Sequence, residues 1–324
     1  MTDSSPSTEN WTSGVCEANG IDIHYLRTGG DKPPLIALHG LTGNGACWAP
    51  LARALESDYD VVMPDARGHG KSSAPLHGYM YRDYASDVIG LIEALGLAAP
   101  VLLGHSMGGM TASVVASQLG TAVHGVILAD PTFISPEWQR EVQESDVVEQ
   151  HRQLLGSNKS DVLAQLRLRH PHRSSEMVEL IADARLQTRI AAFEVLTPPN
   201  PDYRGLVRSI CTPILLVIGG KGVVSLETRK NCRLLIDAFS TNSYRMLATG
   251  FPMTNRTAWR RRSNPFYGRW SHRRASCLRS NSRGSRWRCQ YCHDQQYQQS
   301  TANAGKTLDP RQDAGGWAET LHQC

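Results

Sequence analysis

The chain has 324 residues, 40% hydrophobic and 20% charged, an ordinary composition that can bury a sizeable core, so one large α/β domain or a core with a smaller insert is expected. No run approaches the ~18 apolar residues of a membrane span, and residues 1–10 are polar with two acids; neither a span nor a signal peptide is read, and a cytoplasmic location is expected. The net charge of +4 hides a division, because residues 1–250 hold 21 Lys+Arg against 26 Asp+Glu (−5) and residues 251–324 hold 13 against 4 (+9).

From residue 14 to about 247, short apolar runs alternate with amphipathic stretches, the pattern of a mostly parallel sheet covered by helices. Residues 21–27 alternate after Asn19-Gly20 and predict the second strand of an opening hairpin. Apolar runs at 35–38, 59–63, 101–103, 126–128 and 214–218 predict buried strands. Helical spacing between them predicts helices at 48–55, 84–95 and 110–119. Residues 132–205 break the rhythm: polar helical pieces at 147–155, 160–168 and 175–189 follow one another without a strand, which predicts a helical insert closed by the loop Thr197-Pro198-Pro199-Asn200-Pro201. The expected organisation is therefore a core in two parts, 1–131 and 206–250, a cap insert at 132–205, and a separate tail at 251–324.

The strongest local signal is Gly104-His105-Ser106-Met107-Gly108-Gly109, set between the 101–103 strand and the 110–119 helix. This is G-x-S-x-G in the strand–turn–helix context it requires, a turn so sharp that the positions two before and two after the serine must lack bulk. Ser106 is thereby presented as a nucleophile, with the Met107 N–H at the positive start of a helix as one donor to an oxyanion. His39-Gly40-Leu41 closes the 35–38 strand and offers the Leu41 N–H as the second donor, His39 itself reading as scaffold rather than proton carrier. Asp65-Ala66-Arg67-Gly68-His69-Gly70-Lys71-Ser72 lacks the spacing of a phosphate-binding loop and reads as a tight structural turn.

With the H-G strand end, the D-x-R-G-H-G-x-S turn and the G-H-S-M-G-G elbow in this order, residues 14–247 resemble the α/β-hydrolase superfamily. The resemblance implies an eight-stranded, mostly parallel sheet with a helical cap inserted after the sixth strand, no cofactor and no metal. A serine at the elbow, where epoxide hydrolases and haloalkane dehalogenases of that superfamily carry Asp, points to the serine branch. The implied reaction is hydrolysis of a small-molecule ester, thioester or activated carbonyl through an acyl-enzyme. A serine hydroxyl needs a histidine to accept its proton and a carboxylate to orient that histidine. Superfamily members often place the acid after the seventh strand, but residues 219–224 hold no Asp or Glu, so the role falls to Asp130 at the end of the sixth, a residue that equally reads as a turn cap. The histidine usual after the eighth strand is missing from Ala248-Thr249-Gly250-Phe251-Pro252-Met253-Thr254, and the next one, His272, lies among arginines.

Residues 251–293 carry 11 Arg, no Lys and no acid, with three Trp interleaved, and the last 74 residues contain no Ile or Val. Such a segment cannot offset the entropy of ordering and is expected to stay outside the core. As a basic aromatic arm it would suit nucleic acid, but the shift in composition is abrupt. Cys289-Gln290-Tyr291-Cys292-His293 matches a haem-attachment string that needs export, and the other cysteines give no zinc spacing, so free thiols are expected. A reading frame shifted by one explains the collapse: joining each third codon base to the next two permits Ala-Gly-His across Met246 to Thr249 and forces Asp at Met253-Thr254. Three classes follow: a serine hydrolase, a hydrolase fold without its base, or a hydrolase core bearing a nucleic-acid-binding tail. No membrane partner is expected, and no sequence feature marks an oligomeric state.

Overall fold

The computed structural model of the chain describes residues 11–218, Val224 and the strand Arg245–Ala248. A hairpin opens it, β1 (Thr12–Ala18) and β2 (Ile21–Arg27), joined at Asn19-Gly20 with φ of 52° and 74°. Positive φ at both central residues is what a type I′ turn needs, and Asn-Gly supplies it at low cost. There follow β3 (Pro34–Leu38), α1 (Ala49–Leu55), β4 (Asp60–Pro64), α2 (Tyr81–Ala94), β5 (Val101–His105), α3 (Met107–Leu119) and β6 (Gly125–Ala129). After the insert come α8 (Tyr203–Ser209), β7 (Ile214–Ile218) and β8 (Arg245–Ala248). The eight strands form one sheet in the order β1-β2-β4-β3-β5-β6-β7-β8, antiparallel at β1/β2 and β2/β4 and parallel elsewhere. This is the mostly parallel eight-stranded α/β sheet expected.

Alternation along the central strands divides the core into two layers. Ile36, Val62, Leu102, Val126, Leu128 and Leu216 face one layer with α2, α3 and α8, while Leu35, Val61, Leu103, Ile127 and Leu215 face the other with Trp48, Leu51 and Leu55. Because both faces are covered, these strands read as continuous apolar runs, and each fully buried Leu or Ile contributes roughly 1.5–3 kcal/mol.

Between β6 and β7 no strand occurs among the described residues. Instead come α4 (Pro136–Glu144), α5 (Val147–Leu155), α6 (Lys159–Arg169), α7 (Ser175–Leu186) and a 3₁₀ segment, Ile190–Leu196. Side chains of Ser135, Asn158 and Ser174 accept from the N–H three residues on at 3.2, 2.9 and 3.2 Å, capping α4, α6 and α7. Val162, Leu166, Val178, Ile181 and Ala182 give α6 and α7 a small core of their own. The sequence reading missed α4, which Ser135 and Pro136 at its first turn start cleanly, and α8, which runs through the expected junction at residue 205. Buried Tyr203 and Val207 of α8 join the main core.

The 110–119 helix begins three residues earlier than expected, because the Ser106 carbonyl already accepts from Gly109 N (2.9 Å) and Met110 N (3.2 Å). Among the described residues no helix is long and apolar enough to cross a membrane, no group of three His, Cys, Asp or Glu could hold a metal ion, and Cys16, Cys47 and Cys211 are in no disulfide. Residues 219–223 and 251–324, including His272 and the Cys289 to His293 string, lie outside the described residues.

Candidate active site

Ser106 stands between β5 and α3 at φ 51° and ψ −117°, a region that costs a non-glycine residue on the order of 1–3 kcal/mol. The surroundings hold it there. Its N–H donates to Ala129 O at 3.1 Å, and its carbonyl receives the first N–H groups of α3. A Cβ on Gly104 would fall far inside the contact distance of the Gly108 carbonyl, and one on Gly108 would strike the Leu38 carbonyl. Both glycines are thus required by backbone running past backbone, as the elbow motif anticipates. Ser106 is 5% exposed, and Met107 begins the helix beside it.

The loop after β3 approaches from the neighbouring strand. Ala66 N–H donates to His39 Nε2 at 3.0 Å, which makes that nitrogen an acceptor and puts the ring proton on Nδ1, donating to Gly40 O at 2.7 Å. His39 is buried, burial above all lowers its pKa, and both ring nitrogens are committed to backbone. It shapes Gly40 and Leu41 rather than carrying protons. His69 stands edge-on to it at 4.9 Å, its two nitrogens against Arg67 O and Leu41 O. Burial first and His39 second push the His69 pKa down to about 3, so the ring is neutral and donates one N–H.

Beneath that loop the turn after β4 is a hub of polar contacts. Asp65 accepts from Gly45 N (2.7 Å), Lys71 N (2.9 Å) and His24 Nδ1 (2.8 Å). Arg67 grips Asp87 of α2 with Nε and Nη2, both partners buried, and Asn19 Nδ2 adds a donor to Asp87 at 2.9 Å. The segment is a structural turn, as its spacing predicted. Residues of the insert close over it: Asn44 Nδ2 donates to Gln187 Oε1 at 3.0 Å, and Arg189 N–H to Gly68 O at 2.8 Å.

Asp130 follows β6 at φ 45°. His105 opposite Ala129 is the last pair of the parallel β5/β6 ladder, and Ser106 and Asp130 each follow it directly. Asp130 N–H donates to Val217 O at 2.8 Å, and its Oδ1 accepts from Val224 N at 3.0 Å, which ties the end of β6 to the chain after β7. The four residues singled out in the sequence, Leu41, Ser106, Met107 and Asp130, thus gather at the carboxyl ends of β3, β5 and β6. Sequence reasoning passed over His24 and Asp87, which support the loop from distant parts of the chain.

A family model for the alpha/beta hydrolase fold matches residues 33–207. The chain belongs to this family. Among α/β-hydrolase relatives, the 2-(acetamidomethylene)succinate hydrolase of Mesorhizobium japonicum is 28% identical over 225 residues, 65% of this chain and 80% of that protein. An N-formylmaleamate deformylase of Pseudomonas putida is 38% identical over 124 residues, 38% of this chain and less than half (46%) of the relative. The solved structure of an E-2-(acetamidomethylene)succinate hydrolase superposes with a TM-score of 0.64 at 22% identity, over 78% of this chain and 98% of that one, a likeness of fold. Epoxide hydrolases and an esterase are among the further α/β-hydrolase relatives and fold neighbours.

Proposed function

We propose that this α/β-hydrolase uses Ser106 as the nucleophile of an acyl transfer to water, with Asp130 as the acid and the Leu41 and Met107 N–H groups as oxyanion donors. In this reading Ser106 Oγ attacks the carbonyl carbon of a small ester, thioester or activated carbonyl compound. The hydroxyl proton passes to a histidine, the leaving group takes it, and water then releases the acyl group by the same route in reverse. The observation that carries the reading is Ser106 held at φ 51° in a glycine-flanked turn, with Asp130 directly after the end of the neighbouring strand β6. Residues 132–205 act as a cap over the site, and the Asn44 to Gln187 contact supports that role. Two relatives are named for N-acyl compounds that also carry carboxylates, a succinate and a maleamate, which makes small N-acyl carboxylates the first substrates to assay.

A second reading is a hydrolase fold impaired in catalysis. Sequence favours it: β8 ends at Ala248 and Thr249-Gly250-Phe251 follows where a histidine is due. A shifted frame after about residue 247 accounts for the missing base, and codons that give no His at the Ala248-Thr249 junction would remove that explanation. Fluorophosphonate labelling separates the two readings, since only an activated serine reacts quickly. Under the first, the elbow peptide is labelled and Ser106→Ala lowers its labelling by about 10⁴-fold or more. Labelling of that peptide persisting in Ser106→Ala would overturn the nucleophile assignment, and none in the unaltered chain would favour the impaired fold.

A further inference from the structure

The opening hairpin carries a second serine, histidine and carboxylate in line, away from the elbow. Ser13 Oγ lies 2.9 Å from His24 Nε2, and His24 Nδ1 lies 2.8 Å from Asp65 Oδ2. Protons in this chain are fixed by elimination. A carboxylate oxygen accepts only, so the Nδ1 hydrogen of a neutral His24 points at Asp65, and Nε2 presents its lone pair to the Ser13 hydroxyl, which donates. Asp65 is held from two other sides by the Gly45 and Lys71 N–H groups, so the imidazole is oriented by a rigid partner. This is the polarity of a base prepared to take a serine proton.

The serine is reachable although its partners are not. Ser13 is exposed, whereas His24 and Asp65 are 7% and 4% exposed. In the β1/β2 register Ser13 pairs with Leu26 and Val15 with His24, so the serine and histidine are diagonal neighbours on one face of the hairpin. Period-two alternation puts Trp11 and Val15 on that face as well. Val15 is 60% exposed and Trp11 half-buried, its Nε1 donating to Glu56 Oε2 at 2.6 Å. An apolar residue therefore flanks the hydroxyl on either side, contact enough for one aromatic ring.

We propose that Ser13 is a second activated serine, an acyl-accepting site for small aryl esters on the outer face of the hairpin. Ser13 Oγ attacks the acyl carbon; the Oγ–C bond forms and the bond from carbon to the aryl oxygen breaks. The hydroxyl proton moves to His24 Nε2 and from there to the departing aryloxide. Activated esters are the class that fits, because an aryloxide leaves without a preformed oxyanion hole. The site is independent of the elbow, so it stands or falls separately from the function proposed for Ser106.

The test uses the full chain carrying Ser106→Ala, treated with 4-nitrophenyl acetate, with acetylated peptides mapped by mass spectrometry. Ser209 serves as the internal reference, since it too is exposed but its hydroxyl donates to the Leu206 carbonyl at 2.8 Å. The expected result is acetylation of Ser13 about 10²-fold faster than of Ser209, the gain a positioned general base gives. His24→Asn keeps an N–H for Asp65 and removes the base, and it should lower the Ser13 rate at least about tenfold while Ser209 is unaffected. Equal rates at Ser13 and Ser209, or an unchanged Ser13 rate in a folded His24→Asn protein, would overturn the proposal. The Ser13 to Ser209 ratio needs no change in the hairpin, so it decides the matter even if His24→Asn does not fold.

Discussion

Two turns at the carboxyl ends of β4 and β5, the strands on either side of β3, solve opposite problems. After β4, residues 65–72 pair most of their buried polar groups: Asp65 has three donors, Arg67 has Asp87, and the neutral His69 ring gives its one N–H to one of two facing carbonyls. After β5, a single residue is kept in a costly conformation while two glycines let backbone pass close beside it. One turn is stable because its groups are paired, and the other holds a serine at a strained φ at the end of a strand.

That contrast is broken most sharply by Asp130→Asn. In the proposed mechanism, an amide in place of the acid leaves the fold intact but no longer orients the base, so in a form of the protein that acylates Ser106 the reaction should slow by about 10⁴-fold, with the thermal midpoint moving little. Asp87→Asn tests the other turn. The buried Arg67 guanidinium loses its charged partner, and urea denaturation should show a loss of about 3–5 kcal/mol. A smaller effect comes with acid. Because the folded pKa of His69 is about 3 and that of His39 is also lowered, the unfolded chain binds their protons first as pH falls below ~6.5. Stability is full above that pH and is lost on the way down towards 3, by up to about 1.4 kcal/mol per pH unit for each ring, and melting curves at pH 7, 5 and 4 should fall in step. His69→Gln should flatten that dependence. Smallest is Asn44→Ala, which removes a 3₁₀ cap at 3.3 Å and the contact to Gln187, a loss of about 1 kcal/mol in the same denaturation assay.

How much of this could be read in the sequence follows from the distance over which each feature acts. Strands β3 to β7 are buried on both faces and announce themselves as apolar runs, and the elbow is local, six residues whose glycines are dictated by the turn itself. Helices α5, α6 and α7 keep helical spacing and were legible, whereas α4 is polar along most of its length and betrays itself only by the Ser135-Pro136 start. Asp130 emerged by elimination, since an acid at a strand end looks the same whether it caps a turn or faces a serine. The Ser13, His24 and Asp65 alignment had no signature at all. It joins residues 11 and 41 apart, and only the hairpin register and the β2/β4 pairing bring them within hydrogen-bond reach.

Two of the bonds from the insert to the core, Asn44 to Gln187 and Arg189 N–H to Gly68 O, fall within three residues of one another just past the end of α7, on the loops after β3 and β4, whereas Arg53 to Glu176, Cys47 Sγ to the Leu180 carbonyl and Tyr81 to Thr132 lie elsewhere. Everything between residue 132 and the end of α7 can therefore be exchanged for the corresponding stretch of another family member with the Gln187 contact to the loop that carries Leu41 kept, at the cost of the bonds to Cys47, Arg53 and Tyr81. A graft that extends three residues further replaces the hinge pin as well, and Gly40 to Gly45 would then settle against a foreign side chain. For recombination between relatives the productive crossover lies on the near side of Gln187, and a library of chimeras with junctions stepped through 183–192 should show retention of fold and labelling changing abruptly there.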